Sequence, residues 1–399
     1  MPLTLSQKAI ATKSATTLAI TAKAKALKAS GVDVVVFGAG EPDFDTPKNI
    51  KDAAIKAIDD GFTKYTPASG IEELKKAICK KFKDFNHLEY EPNEIVISNG
   101  GKHSLTNIFQ TILNQGDEVI IPTPYWLTYP EIVRLADGVP VFVNGEKENG
   151  YKITAKQLKD AVTPATKAVI LNTPCNPTGM IYSKKELLAI AGAAVEADIY
   201  IIADEMYEYL VYGDNEHVSI GTLGNDIFKR TITCSGLSKT YSMTGWRVGY
   251  TGSSAEIAKT MGSVQSHQTS NPNSIAQKAA IEAILGEQAA VETMRLEFDK
   301  RRKYMYSRLS AMPLIDTLEP EGAFYAFVDC SALTGKLYKD KEIENAADAA
   351  DILLSDYNVA LIPCADFGAP NHVRLSYAVS MEQIEKGLDR IEEFLGNFA

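Results

Sequence analysis

From Val32 onward, short apolar runs alternate with longer stretches in which apolar residues recur at helical spacing. Short runs bounded by turn residues suit strands buried on both faces, and the helical stretches between them supply the cover. The pattern predicts strands at Glu94–Ser98, Glu118–Ile121, Val139–Val143, Ala168–Leu171, Ile199–Ala203, Thr231–Cys234 and Val248–Tyr250. Helices are expected over Lys102–Leu113, Tyr129–Leu135 and Lys184–Glu196, each opened or closed by Gly, Pro, Ser or Asn. Strand and helix in alternation make the class α/β, with a mostly parallel seven-stranded sheet between helices. After about Ile257 the chain turns helix-rich through Gln277–Leu309 and then returns to shorter strands at Ala323–Val328, Ala360–Ile362 and Val373–Tyr377, a smaller α+β domain. The expected division is a large domain over 46–285, a small domain over 286–399, and an arm over 1–45 that packs with the small domain because chain termini are often close.

Composition narrows the partners. With 45% hydrophobic and 23% charged residues among 399, the chain has material for a large core, which argues against disorder. A net charge of -10 opposes a phosphate backbone, so nucleic acid is not an expected partner. The cysteines Cys79, Cys175, Cys234, Cys330 and Cys364 are odd in number and widely spaced, which suits neither a disulfide framework nor a zinc site. The histidines are equally scattered, and no bound metal is expected. No apolar run approaches the length of a membrane span, and the opening segment lacks the apolar block of a secretory signal and the arginines of a transit peptide. No membrane association and a reducing, cytoplasmic location are expected.

Four windows carry chemistry. In SGLSKTYSMTGWRVGY, Ser235 to Tyr250, a strand ends in small residues, Lys239 follows, and Arg247 comes later. Small residues let backbone N–H groups approach a phosphate, arginine grips its oxygens in pairs, and an amine beside a cation is a candidate nucleophile. A surface turn with solvated cations is the plainer alternative. AVILNTPCNPTG sets Asn172 and Asn176 just beyond a strand, where ligands of open α/β sheets gather, although an NP pair is also ordinary turn chemistry. IYIIADEMY puts Asp204 at the end of an apolar strand, as a buried carboxylate needing a partner or as a helix N-cap. ISNGGKHSL runs a strand through Gly100 and Gly101 into a helix, a geometry that aims backbone donors at an anion or simply turns the chain.

Together these windows resemble the fold-type I pyridoxal-phosphate enzymes, specifically the class I/II aminotransferases and most closely the type 1b aspartate aminotransferase group. The likeness runs through GAGEPDFDTP, KYTPASG, SNGGK, PTPYW, NTPCNPTG, ADEMYEYL, the lysine window, GAFY and HVRLSYA in family order. It implies pyridoxal 5'-phosphate as cofactor and reversible amino transfer from L-aspartate to 2-oxoglutarate, giving oxaloacetate and L-glutamate by a ping-pong route. Lys239 resembles the lysine that bonds to the cofactor aldehyde and moves the substrate proton, and Asp204 the carboxylate that keeps the pyridine nitrogen protonated. Asn176 and Tyr207 resemble the pair bonded to the phenolic oxygen. Arg247, Ser238, Gly100 and Gly101 look like the phosphate cup, completed in this family by Tyr65 from a neighbouring subunit, so a homodimer is implied. Trp126 resembles the residue stacked on the pyridine ring; Arg374 looks like the clamp on the substrate α-carboxylate, aided by backbone at Gly40. A core tryptophan and a surface arginine on an edge strand are the plainer alternatives for these two.

The sequence departs from the family in two places. Gly236 stands where many relatives carry a phosphate-binding serine, with Ser235 or backbone N–H expected to compensate. Residues 250–294 contain no arginine to meet a distal carboxylate; the type 1b group uses the lysine of a GGK or GAK motif, which matches Lys102, with Thr17 or other hydroxyls of SATTLAIT assisting. A bifunctional aspartate/prephenate enzyme is the main alternative, followed by a carbon–sulfur lyase and a non-catalytic cofactor-binding sensor. Sensors of that kind carry an added DNA-binding segment, not expected here because the likeness starts within the first 20 residues.

Overall fold

The computed structural model describes residues 4–12 and 16–398. Its strands, in chain order, are β1 (Val35–Val36), β2 (Ile95–Ser98), β3 (Glu118–Thr123), β4 (Val139–Asn144), β5 (Thr166–Asn172), β6 (Tyr200–Asp204), β7 (Thr231–Gly236), β8 (Gly249–Gly252), β9 (Asp316–Thr317), β10 (Tyr325–Asp329), β11 (Leu337–Tyr338), β12 (Lys341–Glu342), β13 (Val359–Ala360), β14 (Ile362–Pro363) and β15 (His372–Ser376). Seven of them form one sheet in the order β2-β8-β7-β6-β5-β3-β4. Only β8 runs against its neighbours; the pairs β3·β4, β3·β5, β5·β6 and β6·β7 are parallel.

This sheet is covered on both faces, which is why its strands read as unbroken apolar runs. Alternate residues part company. Val119, Ile121, Ala168, Ile170, Ile202 and Ile232 join Leu105, Ile108, Tyr129, Ile132 and Met261 in one core, while Ile120, Val169, Leu171, Ile201 and Ala203 join Leu158, Leu187, Ile190 and Ala194 in another. Ser183 opens the helix Lys184–Glu196 with a capping box, its hydroxyl accepting from Glu186 N while Glu186 reaches back.

The C-terminal part builds a separate four-stranded sheet, β14-β15-β10-β9, and β1 pairs in parallel with β13. Residues near the start of the chain therefore share a core with its end: Val35 and Phe37 pack with Phe324, Tyr325, Leu375 and Leu388. Two sequence expectations change. The strand expected over Ala360–Ile362 divides, β13 pairing with β1 and β14 with β15. The helical stretch Gln277–Leu309 is two helices, Ser274–Leu285 and Ala289–Ala311, parted at Gly286, where a Cβ would lie 2.3 Å from Glu282 Oε1 and 2.5 Å from its carbonyl oxygen. No described helix is long and apolar enough to cross a membrane.

Candidate active site

Parallel strands end on the same side, so the loops that follow β5, β6 and β7 converge. In register, Asp204 stands between Asn172 of β5 and Cys234 of β7. No helix begins after it, because residues 206–209 form a turn, so the N-cap alternative falls away. Its carboxylate accepts from Tyr129 OH at 2.6 Å and from Met206 N at 3.2 Å. Both donors are neutral. Burial with no cation at hand pushes the Asp204 carboxyl up to about 6.

β7 ends in Ser235 and Gly236, and the chain turns there into buried Ser238 and half-buried Lys239. Lys239 Nζ donates to the Gly40 carbonyl. Burial, then the Arg374 cation, lowers its pKa to about 8. The departure at Gly236 has a packing reason: a Cβ there would lie 3.0 Å from Met206 Cε and 3.0 Å from the Val248 carbonyl oxygen. Ser235 does not replace the missing hydroxyl, contrary to the sequence expectation, since its Oγ donates to Glu208 Oε1 at 2.5 Å.

Gly100 and Gly101 join β2 to the helix Gly101–Ile112, and the N-terminus of such a helix presents N–H groups suited to an anion. Gly100 has φ +87°, and a Cβ on it would lie 2.3 Å from Arg247 Nη2. Arg247 itself has φ +57° and donates to the carbonyls of Thr244 at 2.8 Å and Asn99 at 3.3 Å. One residue beyond Gly101, the Lys102 ammonium lies 5.2 Å from the Trp126 ring centroid. Partial burial and the Arg247 cation lower its pKa. Trp126, half-buried, meets Tyr129 edge-on at 5.5 Å, which links it to Asp204 through that residue.

The opposite wall comes from the four-stranded sheet. Arg374 lies on β15 between β10 and β14 and is 3% exposed, so it is not a surface arginine on an edge. Its Nη1 donates to Asn176 Oδ1 at 2.8 Å and Nη2 to the Gly38 carbonyl at 3.4 Å; its guanidinium lies 4.3 Å from the Tyr325 ring centroid. Arg374 Nε is buried with no hydrogen-bond partner among the described residues. Tyr207 and Tyr325 share a hydroxyl–hydroxyl bond of 2.8 Å. At Gly40 a Cβ would stand 3.3 Å from Tyr325 OH, so glycine leaves that backbone open beside Arg374.

Lys239, Asp204, Asn176, Tyr207, Gly40 and Arg374 are thus drawn to one place, with Gly100, Gly101, Lys102, Trp126 and Arg247 along its other side. Tyr65 is not drawn in: it is 89% exposed and makes no hydrogen bond or ring contact with these residues among those described. Thr17 is half-buried on the helix Thr16–Ala29; Ser14 and the Thr16 side chain lie outside the described residues. Tyr129 and Tyr325 carry no expectation of their own in the sequence. The signals were present, Tyr129 one helical turn past Trp126 and Tyr325 in GAFY, but their hydroxyl partners are distant in the chain.

The donor set fits pyridoxal phosphate. Lys239, Arg247 and Arg374 bond to carbonyl and amide oxygens rather than to carboxylates, while Asp204 is a buried acid bonded only by neutral donors. Among the described residues each of these charges lacks a hydrogen-bonded partner of opposite charge, which an anionic phosphate, a substrate carboxylate or a protonated pyridine would be.

Residues 32–391 match the family described as aminotransferase class I and II. The chain is 51% identical over 380 residues to an aspartate aminotransferase of Bacillus sp. (strain YM-2), covering 95% of this chain and 96% of that protein. It is 47% identical over 385 residues to a probable aspartate/prephenate aminotransferase of Aquifex aeolicus, with 96% of each covered. Among solved structures it is similar to the aspartate aminotransferase of Thermus thermophilus with maleate, at TM-score 0.93 and 42% identity, covering 98% of this chain and 100% of that one. With the family match spanning residues 32–391 and a relative 51% identical over 95% of the chain, the chain belongs to the class I and II aminotransferases.

Proposed function

We propose that this chain catalyses reversible amino transfer between L-aspartate and 2-oxoglutarate. The observation that carries the reading is a pair of cations on different elements of the site: buried Arg374 on β15, its Nε without a partner among the described residues, and Lys102 above Trp126. Two cations suit a substrate with two carboxylates, and the similar Thermus thermophilus enzyme was solved with maleate, itself a dicarboxylate.

When bound, pyridoxal phosphate supplies an aldehyde that exchanges the amino group and a ring that takes up the electrons left by α-proton removal. Arg247 and the N–H groups at Gly100 and Gly101, with Ser238, hold the phosphate. Asp204, kept in orientation by Tyr129, would pair with the protonated pyridine nitrogen, a cation that would restore the charged carboxylate burial disfavours. Asn176 and Tyr207 would hold the phenolic oxygen, and Trp126 would pack on the ring. Arg374 clamps the α-carboxylate beside Gly40, and Lys102 meets the distal one. With its pKa near 8, Lys239 is a free amine in about a tenth of molecules at pH 7, which equips it to take the α-proton and return it. Tyr65 comes from a second copy in a homodimer. The division at 46–285 and 286–399 leaves the site between a sheet that binds cofactor and one that brings Arg374; the location is cytoplasmic.

A bifunctional aspartate/prephenate enzyme is the second reading, favoured by the relatives that carry that name at 44% to 47% identity. Steady-state assay of the purified, cofactor-loaded protein tests both. Aspartate with 2-oxoglutarate is expected to be turned over well, and failure with this pair while aromatic substrates react would reject the proposal. Turnover of prephenate would add the second activity.

A further inference from the structure

The turn that presents Asp204 and Tyr207 also carries Glu205 and Glu208, which are 1% and 2% exposed and have no part in the chemistry above. Glu208 is engaged through both carboxylate oxygens and Glu205 through Oε2. Glu208 Oε1 accepts from Lys81 Nζ and Ser235 Oγ, each at 2.5 Å, and Oε2 from Asn86 Nδ2 at 2.7 Å. Glu205 Oε2 accepts from Ser219 Oγ at 2.7 Å and Asn86 Nδ2 at 3.0 Å, and lies 3.1 Å from His217 Nε2. Lys81 is itself buried, donates also to Asn86 Oδ1 at 2.7 Å, and lies among the rings of Phe82, Phe85, Tyr209 and Tyr250. Glu205, Glu208 and His217 bring donor atoms within 4.8 Å of one another, a spacing that a metal ion could bridge. Here an ammonium, an amide and two hydroxyls fill that role.

Counted as ions, Lys81 and a protonated His217 balance the two glutamates. Burial disfavours the His217 cation, but Glu205 and then Glu208 outweigh it and raise its pKa; burial likewise opposes the Glu208 anion, but Lys81 and His217 lower its pKa. The balance reaches the active site because Glu205 and Glu208 each add to the rise at Asp204. The cluster also touches the lysine segment directly, through Ser235 four residues before Lys239.

We infer that Lys81, Glu205, Glu208 and His217 form a charge-balanced strut, completed by Asn86, Ser219 and Ser235, that positions the Asp204–Tyr207 turn against the Lys239 segment and offsets the field of the two glutamates at Asp204. These are positioning residues. The inference rests on the reading of Asp204 as the partner of a protonated pyridine.

Lys81→Met, Glu208→Gln and the double variant test it. In the cofactor-loaded protein, the pH midpoint of the cofactor's visible absorbance is expected to rise by about one unit in Lys81→Met, fall by a similar amount in Glu208→Gln, and return near the parent value in the double variant, where formal charge is restored. At fixed pH, kcat/KM for aspartate is expected to fall about tenfold in each single variant, since a midpoint displaced either way departs from the parent balance, and to recover toward the parent value in the double variant. Unmoved midpoints in both single variants, or a double variant displaced as far as the worse single, would overturn the inference. So would a metal ion held at one per chain in the purified protein. If Lys81→Met does not fold, His217→Gln removes the other positive charge; the same upward movement is expected, and none would overturn it. A parent protein that binds no pyridoxal phosphate would defeat the amino-transfer reading instead. Thermal unfolding of cofactor-free protein would then decide, with the double variant expected to be more stable than either single and simply additive losses counting against the strut.

Discussion

Asp204 ends β6 and Glu208 lies four residues on in the turn that follows, both buried, and the protein treats them in opposite ways. Glu208 is supplied with an internal cation, Lys81, and its pKa falls; among the described residues the Asp204 carboxylate receives only the hydroxyl of Tyr129 and the Met206 N–H, and its pKa rises to about 6. Arg374 follows Asp204, with Nε buried and unpartnered among the described residues, whereas Arg302, equally buried, is held by Asp299 and Glu319. Glu208 and Arg302 have charged partners within the chain, whereas Asp204 and Arg374 have only neutral ones among the described residues, which is the pattern expected of groups that await a charged ligand.

Asp204→Asn breaks that contrast most sharply, in two directions. Without its charge the pyridine proton is lost, and kcat/KM is expected to fall by about a thousandfold or more, read in steady-state assays. Cofactor-free protein should respond with the opposite sign. Asp204 has a folded pKa of about 6 against 3.8 in the unfolded chain, so the folded state holds this proton more tightly. That contribution is fully present below pH about 4 and lost as pH rises through 6, which costs about 3 kcal/mol at neutral pH. Cofactor-free Asp204→Asn should therefore be the more stable protein at pH 7 in thermal or urea unfolding, with the difference shrinking toward pH 4.

Arg374→Ala removes the other unfilled charge. Every amino-acid substrate shares the α-carboxylate, so all should lose kcat/KM by about ten- to a hundredfold, from a charged hydrogen bond of roughly 1.5 to 3 kcal/mol. Lys102→Ala is expected to act more narrowly, raising KM about tenfold for aspartate, glutamate and prephenate while aromatic amino acids change little. Equal losses across substrates would assign Lys102 to the phosphate or the helix instead. The smallest effect is expected from Tyr129→Phe: one neutral bond onto Asp204 disappears, the carboxyl moves further up, and kcat/KM drops by about fivefold with the loss growing toward low pH. An unchanged pH profile would mean that Tyr129 merely packs.

By itself the sequence determined the strands of the large sheet and the motif residues at their ends. Strands buried on both faces must be apolar throughout, and the turns that follow them need Gly, Pro, Asn or small residues, so both leave local traces. The motif windows singled out Lys239, Asp204, Asn176, Tyr207 and Arg374, which the fold brings near one another, Arg374 by the pairing of β15 with β10 and β14. Tertiary structure alone decided the remainder. Whether a buried carboxylate is paired depends on residues remote in the chain: Lys81 for Glu208, Tyr129 for Asp204. Ser235 looked as available to a phosphate as its neighbours until packing turned it onto Glu208. Ala360 and Ile362 read as one strand, yet separate sheets claim their two halves. Charge compensation and strand pairing are contacts between distant segments, and short-range pattern records what each segment needs without recording which partner meets it.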